Sequence, residues 1–96
     1  MRYRTTRRAD DDVFDIYIRG VVDFGEHQAE RYHAGLLRAF EFVAANPLAA
    51  RERREYVPPV RMHFVGAHVV TYAIKEDHVL IVRVLHGRQD WDRQLR

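Results

Sequence analysis

The apolar residues of this chain change period once, and that change fixes most of what the chain can fold into. As far as Asn46 and Pro47 they recur at helical spacing; from Val60 onward they alternate. Val13, Ile16, Tyr17, Gly20 and Phe24 form one helical stripe. Thr6 suits the N-cap of that helix, and Asp10, Asp11 and Asp12 fall in its first turns, where the helix dipole favours acids. Gly25 suits its C′ position. A second helix begins at Glu26 or His27, with Ala29, Tyr32, Leu36, Phe40 and Val43 as its stripe, and stops at Asn46 and Pro47. So short a connection makes the two helices an antiparallel hairpin.

A basic segment, RERREYVPPV (51–60), separates the helices from the alternating region. VRMHFV (60–65), HVVTYAI (68–74) and VLIVRVL (79–85) predict three strands, with turns at Gly66 and Ala67 and at 75–78. Turns this short make the meander antiparallel. MRYRTT at the start alternates weakly and predicts a short first strand. The expected class is α+β: a β-α-α-β-β-β order, with the helix hairpin on one face of a mostly antiparallel sheet. The length of 96 residues allows one domain, spanning 1–96.

Apolar surface is in surplus for that arrangement. A helix lying on a sheet needs one apolar stripe, yet Phe14, Ile18, Val21 and Val22 lie on the far side of the first helix. The last two strands are apolar on both faces, whereas the hairpin covers one. Two readings follow. In the first, the tail with Trp91 and Leu95 covers the second sheet face, and Phe14 and Ile18 pack on the neighbouring helix. In the second, a partner chain covers the surplus.

Composition removes several kinds of chemistry. There is no cysteine, hence no disulfide, thiolate zinc site or cysteine nucleophile, and no serine for a serine hydrolase. No apolar run approaches the roughly 20 residues of a membrane span, and the arginines of MRYRTTRRADDD precede no apolar core, so a cytoplasmic address is expected. The net charge is +2, and of 16 basic residues only Lys75 is lysine. Such a bias also follows from a GC-rich genome and does not by itself indicate nucleic acid binding. The six histidines (27, 33, 63, 68, 78 and 86) show no zinc-motif spacing, and no metal or cofactor is expected.

IVRVLHGRQD (81–90) carries the densest set of reactive side chains. RNA cleavage needs a base for the 2′-hydroxyl, an acid for the leaving oxygen and cations for the phosphate. His86, Arg83, Arg88 and Arg61, with Tyr72 and Glu55, are the residues available. Three positions apart on a strand, Arg83 and His86 point to opposite faces, and Arg83 shares a face with Leu85. The convergence catalysis requires is not evident. The plainer reading packs the Arg83 stem on the sheet and pairs its head with an acid, Asp90 or Glu55. His86 then bonds a backbone carbonyl at the strand end, and Arg88 anchors the tail. ARERREY (50–56) reads either as a solvated connector or as a contact surface for an acidic partner.

Several segments in order resemble the ParE toxins of bacterial type II toxin–antitoxin systems, within the RelE/ParE superfamily. They are ADDDVFDIY, FGEHQAERY, ANP at 45–47, the basic stretch before the meander, HVVTY at 68–72 and, above all, IVRVLHGRQD. The resemblance covers nearly the whole chain and implies the fold derived above. It implies a protein encoded beside a ParD-like antitoxin that wraps it and buries its apolar grooves, with Phe14, Ile18, Val21, Val22, Leu37 and Tyr72 as the candidate antitoxin-binding residues. It also implies a toxin that binds and poisons DNA gyrase and acts in plasmid stabilisation, without direct sequence-specific contact to nucleic acid. Arg61, Arg83, His86, Arg88 and Trp91 are the candidate target-binding residues. RelE-type relatives instead cut messenger RNA in the ribosome; that alternative would use His86 with Arg61, Arg83 or Arg88. A non-toxic regulatory partner is the third reading. A single lysine is a poor match to a nuclease that docks on the ribosomal polyanion.

Overall fold

A computed structural model describes residues 1–95. Strand β1 (Arg2–Thr5) leads into helix α1 (Arg7–Phe24), then α2 (Glu26–Ala45) and a 3₁₀ turn at Pro47–Ala49. Strands β2 (Glu52–Arg53), β3 (Val60–Val65), β4 (His68–Ile74) and β5 (His78–His86) follow, and a short helix α3 (Trp91–Leu95) closes the described chain. The five strands form one sheet in the order β1-β5-β4-β3-β2, with β1 parallel to β5 and every other pair antiparallel. This is the expected α+β architecture. Two elements exceed the expectation. β2 forms inside the basic segment by pairing Glu52 with Arg61 and Arg53 with Val60; two residues cannot display an alternation. α3 forms in the tail, where five residues are too few for a helical stripe.

Local chemistry sets the element ends. The Thr6 hydroxyl accepts from the Ala9 N–H at 3.0 Å, capping α1, and donates to the Val82 carbonyl at 2.7 Å. One side chain thus starts the helix and ties it to β5. At the other end the chain turns between helices through Gly25 alone, at φ 91°, a conformation glycine adopts without steric cost. Its N–H donates to the Val21 carbonyl, its carbonyl accepts from the Ala29 N–H, and the two helices run antiparallel.

The main core lies between hairpin and sheet. Leu36, Phe40 and Val43 of α2 and Ala9 of α1 meet Val70, Tyr72, Val79, Ile81 and Val84. Each of the three large α2 side chains contributes roughly 1.5–3 kcal/mol by leaving water. Tyr72, expected on the antitoxin surface, is instead fully buried, and its hydroxyl donates to the Pro47 carbonyl at 2.9 Å. Its strand is central in the sheet, so its helix-facing side chains lie under α2.

A β-bulge divides β5. Thr71 pairs with Arg83 but the next residue, Tyr72, pairs with Ile81, so Val82 is the extra residue. Regular alternation would put Val79, Ile81, Arg83 and Leu85 on one face. After the bulge the phase reverses: Val84 joins Val79 and Ile81 in the helix-side core, while Leu85 enters the opposite cluster. The bulge therefore keeps Arg83 out of the apolar core. The buried Thr71 hydroxyl secures it, accepting from the Arg83 N–H at 3.0 Å and donating to the Arg83 carbonyl at 3.2 Å.

The second sheet face is covered by the chain itself. Tyr56, Val60, Met62, Val69 and Leu85 cluster there, packed by Val82, Trp91 and Leu95. Self-coverage by the tail thus accounts for most of this face, although Phe64 beside Trp91 stays 56% exposed. It does not account for α1.

Candidate functional site: an apolar hairpin face and a divided arginine–histidine set

The outer side of α1 leaves apolar surface open, as Phe42, Leu48, Val57 and Phe64 do singly elsewhere. Phe14 is 64% exposed, Ile18 45% and Val22 79%, and Phe24 at the helix end is exposed as well. Phe14 and Ile18 were expected either to pack on the neighbouring helix or to meet a partner; they do not pack on α2. The reason is angular: α2 lies against Gly20 of α1 through Ala29, and Phe14, Ile18 and Val22 lie on the other side of that helix. Val21 is half-buried at the margin. Tyr17 packs edge-on against His33 of α2, with ring centres 6.0 Å apart, and Leu37, one turn beyond His33, is exposed. The open surface therefore continues from α1 onto α2.

An open groove of about 730 Å³ runs beside this face, between α1 and the ends of β4 and β5. Ile16, Gly20, Ala29 and Leu36 line it from the helices, and His68 and His86 from the strands. The Tyr32 hydroxyl organises the strand end. It accepts from the Ala67 N–H at 3.2 Å, donates towards the Val65 carbonyl at 3.3 Å and lies 2.6 Å from His68 Nδ1. Burial raises the Tyr32 pKa. Burial, followed by the neighbouring His86 ring at 5.4 Å, lowers that of His68. Close packing also dictates Gly66: at φ +56°, a Cβ there would lie 2.7 Å from the Tyr32 hydroxyl.

The arginines and histidine of the last strand do not converge. Arg83 is 8% exposed and is held by Asp12 of α1, its Nε donating to Oδ2 at 2.7 Å and its Nη2 to Oδ1 at 2.9 Å. The Asp12 hydrogen bond pushes the Arg83 pKa up against the cost of burial. The acid expected here was Asp90 or Glu55; Glu55 instead lies 3.8 Å from Arg53. Asp12 suits the helix dipole by its position in the first turns, and its spacing to Ile16, one turn on, also puts it on the inward side of α1.

His86 is exposed on the helix side of the sheet, beside His68, with which it pairs across the strands. Its Nδ1 accepts from the Arg88 N–H at 3.1 Å, and its carbonyl accepts from Trp91 Nε1 at 3.2 Å. So the histidine ring bonds an amide, not the carbonyl expected of it. Arg88 is exposed; Trp91 is half-buried, tilted against Phe64 at 5.9 Å. Arg61 lies on β3, its Nη1 donating to the Ala50 carbonyl at 2.6 Å. Of the five candidate target-binding residues, two arginines are thus engaged inside the fold. Among the described residues no three histidine or acidic side chains are grouped to hold a metal ion, and no helix is long and apolar enough to cross a membrane.

The architecture is an α+β fold in which a helix hairpin, with one face uncovered, packs on a small sheet. A solved chain described as the chromosomal ParDE TA system from P. aeruginosa superposes with a TM-score of 0.74, at 23% identity, over 90% of this chain and 95% of that one. The family model for the ParE toxin of the type II toxin–antitoxin system parDE matches residues 3–91. Toxin ParE1 of Mycobacterium tuberculosis (strain H37Rv) is 40% identical over 73 residues, 75% of this chain and 74% of that protein. Toxin ParE1 of Caulobacter vibrioides (strain CB 15) is 33% identical over 84 residues, 88% and 86% of the two chains. The chain belongs to the ParE toxin family of type II toxin–antitoxin systems.

Proposed function

We propose that this toxin works by binding: it inhibits DNA gyrase and is neutralised by a cognate ParD-like antitoxin lying across the open face of the hairpin. The observation that carries this reading is the division of the last strand. Arg83 is spent on Asp12 at the free edge of β5, and His86 opens on the helix side of the strand beside His68. A phosphodiester in contact with His86 would have no buried cation from this strand to meet it, which leaves general acid–base cleavage without a preorganised buried charge. The similarity to a solved ParDE system supports a ParD-type partner. Phe14, Ile18, Val21, Val22 and Leu37 are the antitoxin contacts in this reading. His86, Arg88 and Trp91 are the target contacts, with Arg61 and Arg83 acting through the fold that holds them.

Purified chain added to DNA gyrase and relaxed plasmid is expected to block supercoiling and accumulate cleaved DNA, while messenger RNA on ribosomes stays intact. Unimpaired supercoiling together with codon-positioned cuts in the messenger would favour the ribosome-dependent nuclease instead.

A further inference from the structure

The open face of the hairpin has a charge as well as a shape. At about 100° per residue, the side of α1 centred on Phe14 also carries Arg7, Asp10 and Asp11, and Ile18 and Val21 continue it. The side of α2 that turns towards α1 through His33 carries Glu26, Glu30, Leu37 and Glu41, whereas Arg31 and Arg38 point roughly a quarter-turn or more away. On these two sides there are thus five carboxylates and one guanidinium; beyond Val22 the margin of α1 adds Asp15 with Arg8 and Arg19. None of the five makes an ion pair or side-chain hydrogen bond among the described residues. Glu30 and Glu26 lie close enough to Tyr17 to raise its pKa, after burial, which puts their charge at the edge of this surface.

The same asymmetry runs through the whole chain. Residues 7–45 hold Arg7, Arg8, Arg19, Arg31 and Arg38 against Asp10, Asp11, Asp12, Asp15, Asp23, Glu26, Glu30 and Glu41, a balance of 5 − 8 = −3. With +2 for the entire chain, the remainder carries +5. The sheet and its connections are basic and the hairpin is acidic.

We propose that the hairpin's outer face docks a basic amphipathic helix: apolar along one side, to cover Phe14, Ile18 and Leu37, with lysine or arginine along its margins, to meet Asp10, Asp11, Glu26, Glu30 and Glu41. The helix comes from the antitoxin, so the proposal rests on the antitoxin reading above and deepens it. It reverses the sign that the basic segment at 50–56 suggests for the partner, because that segment lies at β2, the opposite edge of the sheet from β1. A second copy of this chain does not fit the face hairpin against hairpin, since two acidic surfaces would be brought together. Apolar contact supplies most of the affinity; the carboxylate ring supplies orientation and rejects acidic helices.

Two synthetic helical peptides of about 20 residues, long enough to hold a helix, test this on the full chain. Both carry the same leucine stripe; one has lysine and arginine margins, the other glutamate margins. Fluorescence anisotropy is expected to show the basic peptide binding roughly tenfold more tightly at low salt, with the advantage shrinking as salt is raised. Asp10→Asn with Glu30→Gln should narrow the preference, and Phe14→Asp should weaken the binding of both peptides. Equal binding, or tighter binding of the acidic peptide, overturns the proposal, as does a preference untouched by the Asp10→Asn, Glu30→Gln pair. If the basic preference holds but the purified antitoxin binds the Phe14→Asp chain as tightly as wild type, the antitoxin is not the occupant and that reading fails, while the surface chemistry stands.

Discussion

Asp12 and Arg83, 71 positions apart, join the first helix to the last strand through one carboxylate. Asp12 Oδ2 accepts from Arg83 Nε at 2.7 Å and from the Val84 N–H at 2.9 Å, and Oδ1 accepts from Arg83 Nη2 at 2.9 Å. β1 pairs with β5 only as far as Thr5 and Ile81. Beyond that point the edge of β5 is bare, and Asp12 takes the place of the missing strand for one amide. The two side chains are 15% and 10% exposed, so the pair is largely out of water. Removing one partner leaves a buried charge uncompensated. Asp12→Ala is expected to cost about 3 kcal/mol in urea unfolding. Asp12→Ala with Arg83→Met should cost less than Asp12→Ala alone, because no buried cation remains. A double variant as unstable as the sum of both singles would show that the pair is not coupled.

Gly66 faces the Tyr32 ring at a positive φ, so Gly66→Ala meets both a backbone penalty and a collision. The left-handed conformation alone costs roughly 1–2 kcal/mol for a residue with a Cβ. We expect at least that loss of stability, with looser amides at Ala67 and His68 in hydrogen exchange. Unchanged stability would mean that Tyr32 moves aside at no cost.

Stability is expected to fall as pH drops below 6.5. Burial, then His86, holds His68 below its ordinary 6.5, and burial does the same for His63. Above 6.5 these groups are neutral in folded and unfolded chains, and their contribution is fully present. Below it the unfolded chain takes up protons first, and the contribution is lost as pH falls through the lowered folded values. The urea midpoint should therefore be lower near pH 5 than near pH 7.5, and His68→Gln should shrink that difference. A midpoint that does not change over this range would contradict the shifts. Asp12 opposes the effect at His68, as the smallest of its three influences.

The proposed antitoxin surface is separable from the core. Phe14 and Ile18 are exposed, so Phe14→Asp and Ile18→Asp should each change folding stability by no more than about 0.5 kcal/mol. Both should weaken antitoxin binding at least tenfold in calorimetric titration, a loss of about 1.4 kcal/mol or more. Wild-type affinity in both would place the antitoxin elsewhere.

Much of this fold is legible in the sequence because its elements are long and periodic. The helical stripes, the cap at Thr6, the stop at Gly25 and the alternating strands all follow from spacing. The bulge at Val82 does not, since an inserted residue in VLIVRVL leaves the composition of the run unchanged; it was Arg83, a charge in an apolar strand, that hinted at a special position. The surplus on α1 was legible from Phe14, Ile18 and Val22, and its openness follows from which side of α1 meets Ala29. Tyr72, which the resemblance implies as an antitoxin contact, lies outside that surface because its strand is central and α2 covers its face. Partners far apart in the chain, Asp12 with Arg83 and Tyr32 with His68, need the tertiary fold before they can be matched.

The central claim, that this toxin acts by binding gyrase and not by cutting RNA, is tested most directly by inducing it in cells without antitoxin and following DNA and messenger RNA over the same minutes. The account predicts DNA breaks and filamentation while translation continues and transcripts stay whole. Early codon-specific cleavage of messenger RNA, with intact DNA, would contradict it.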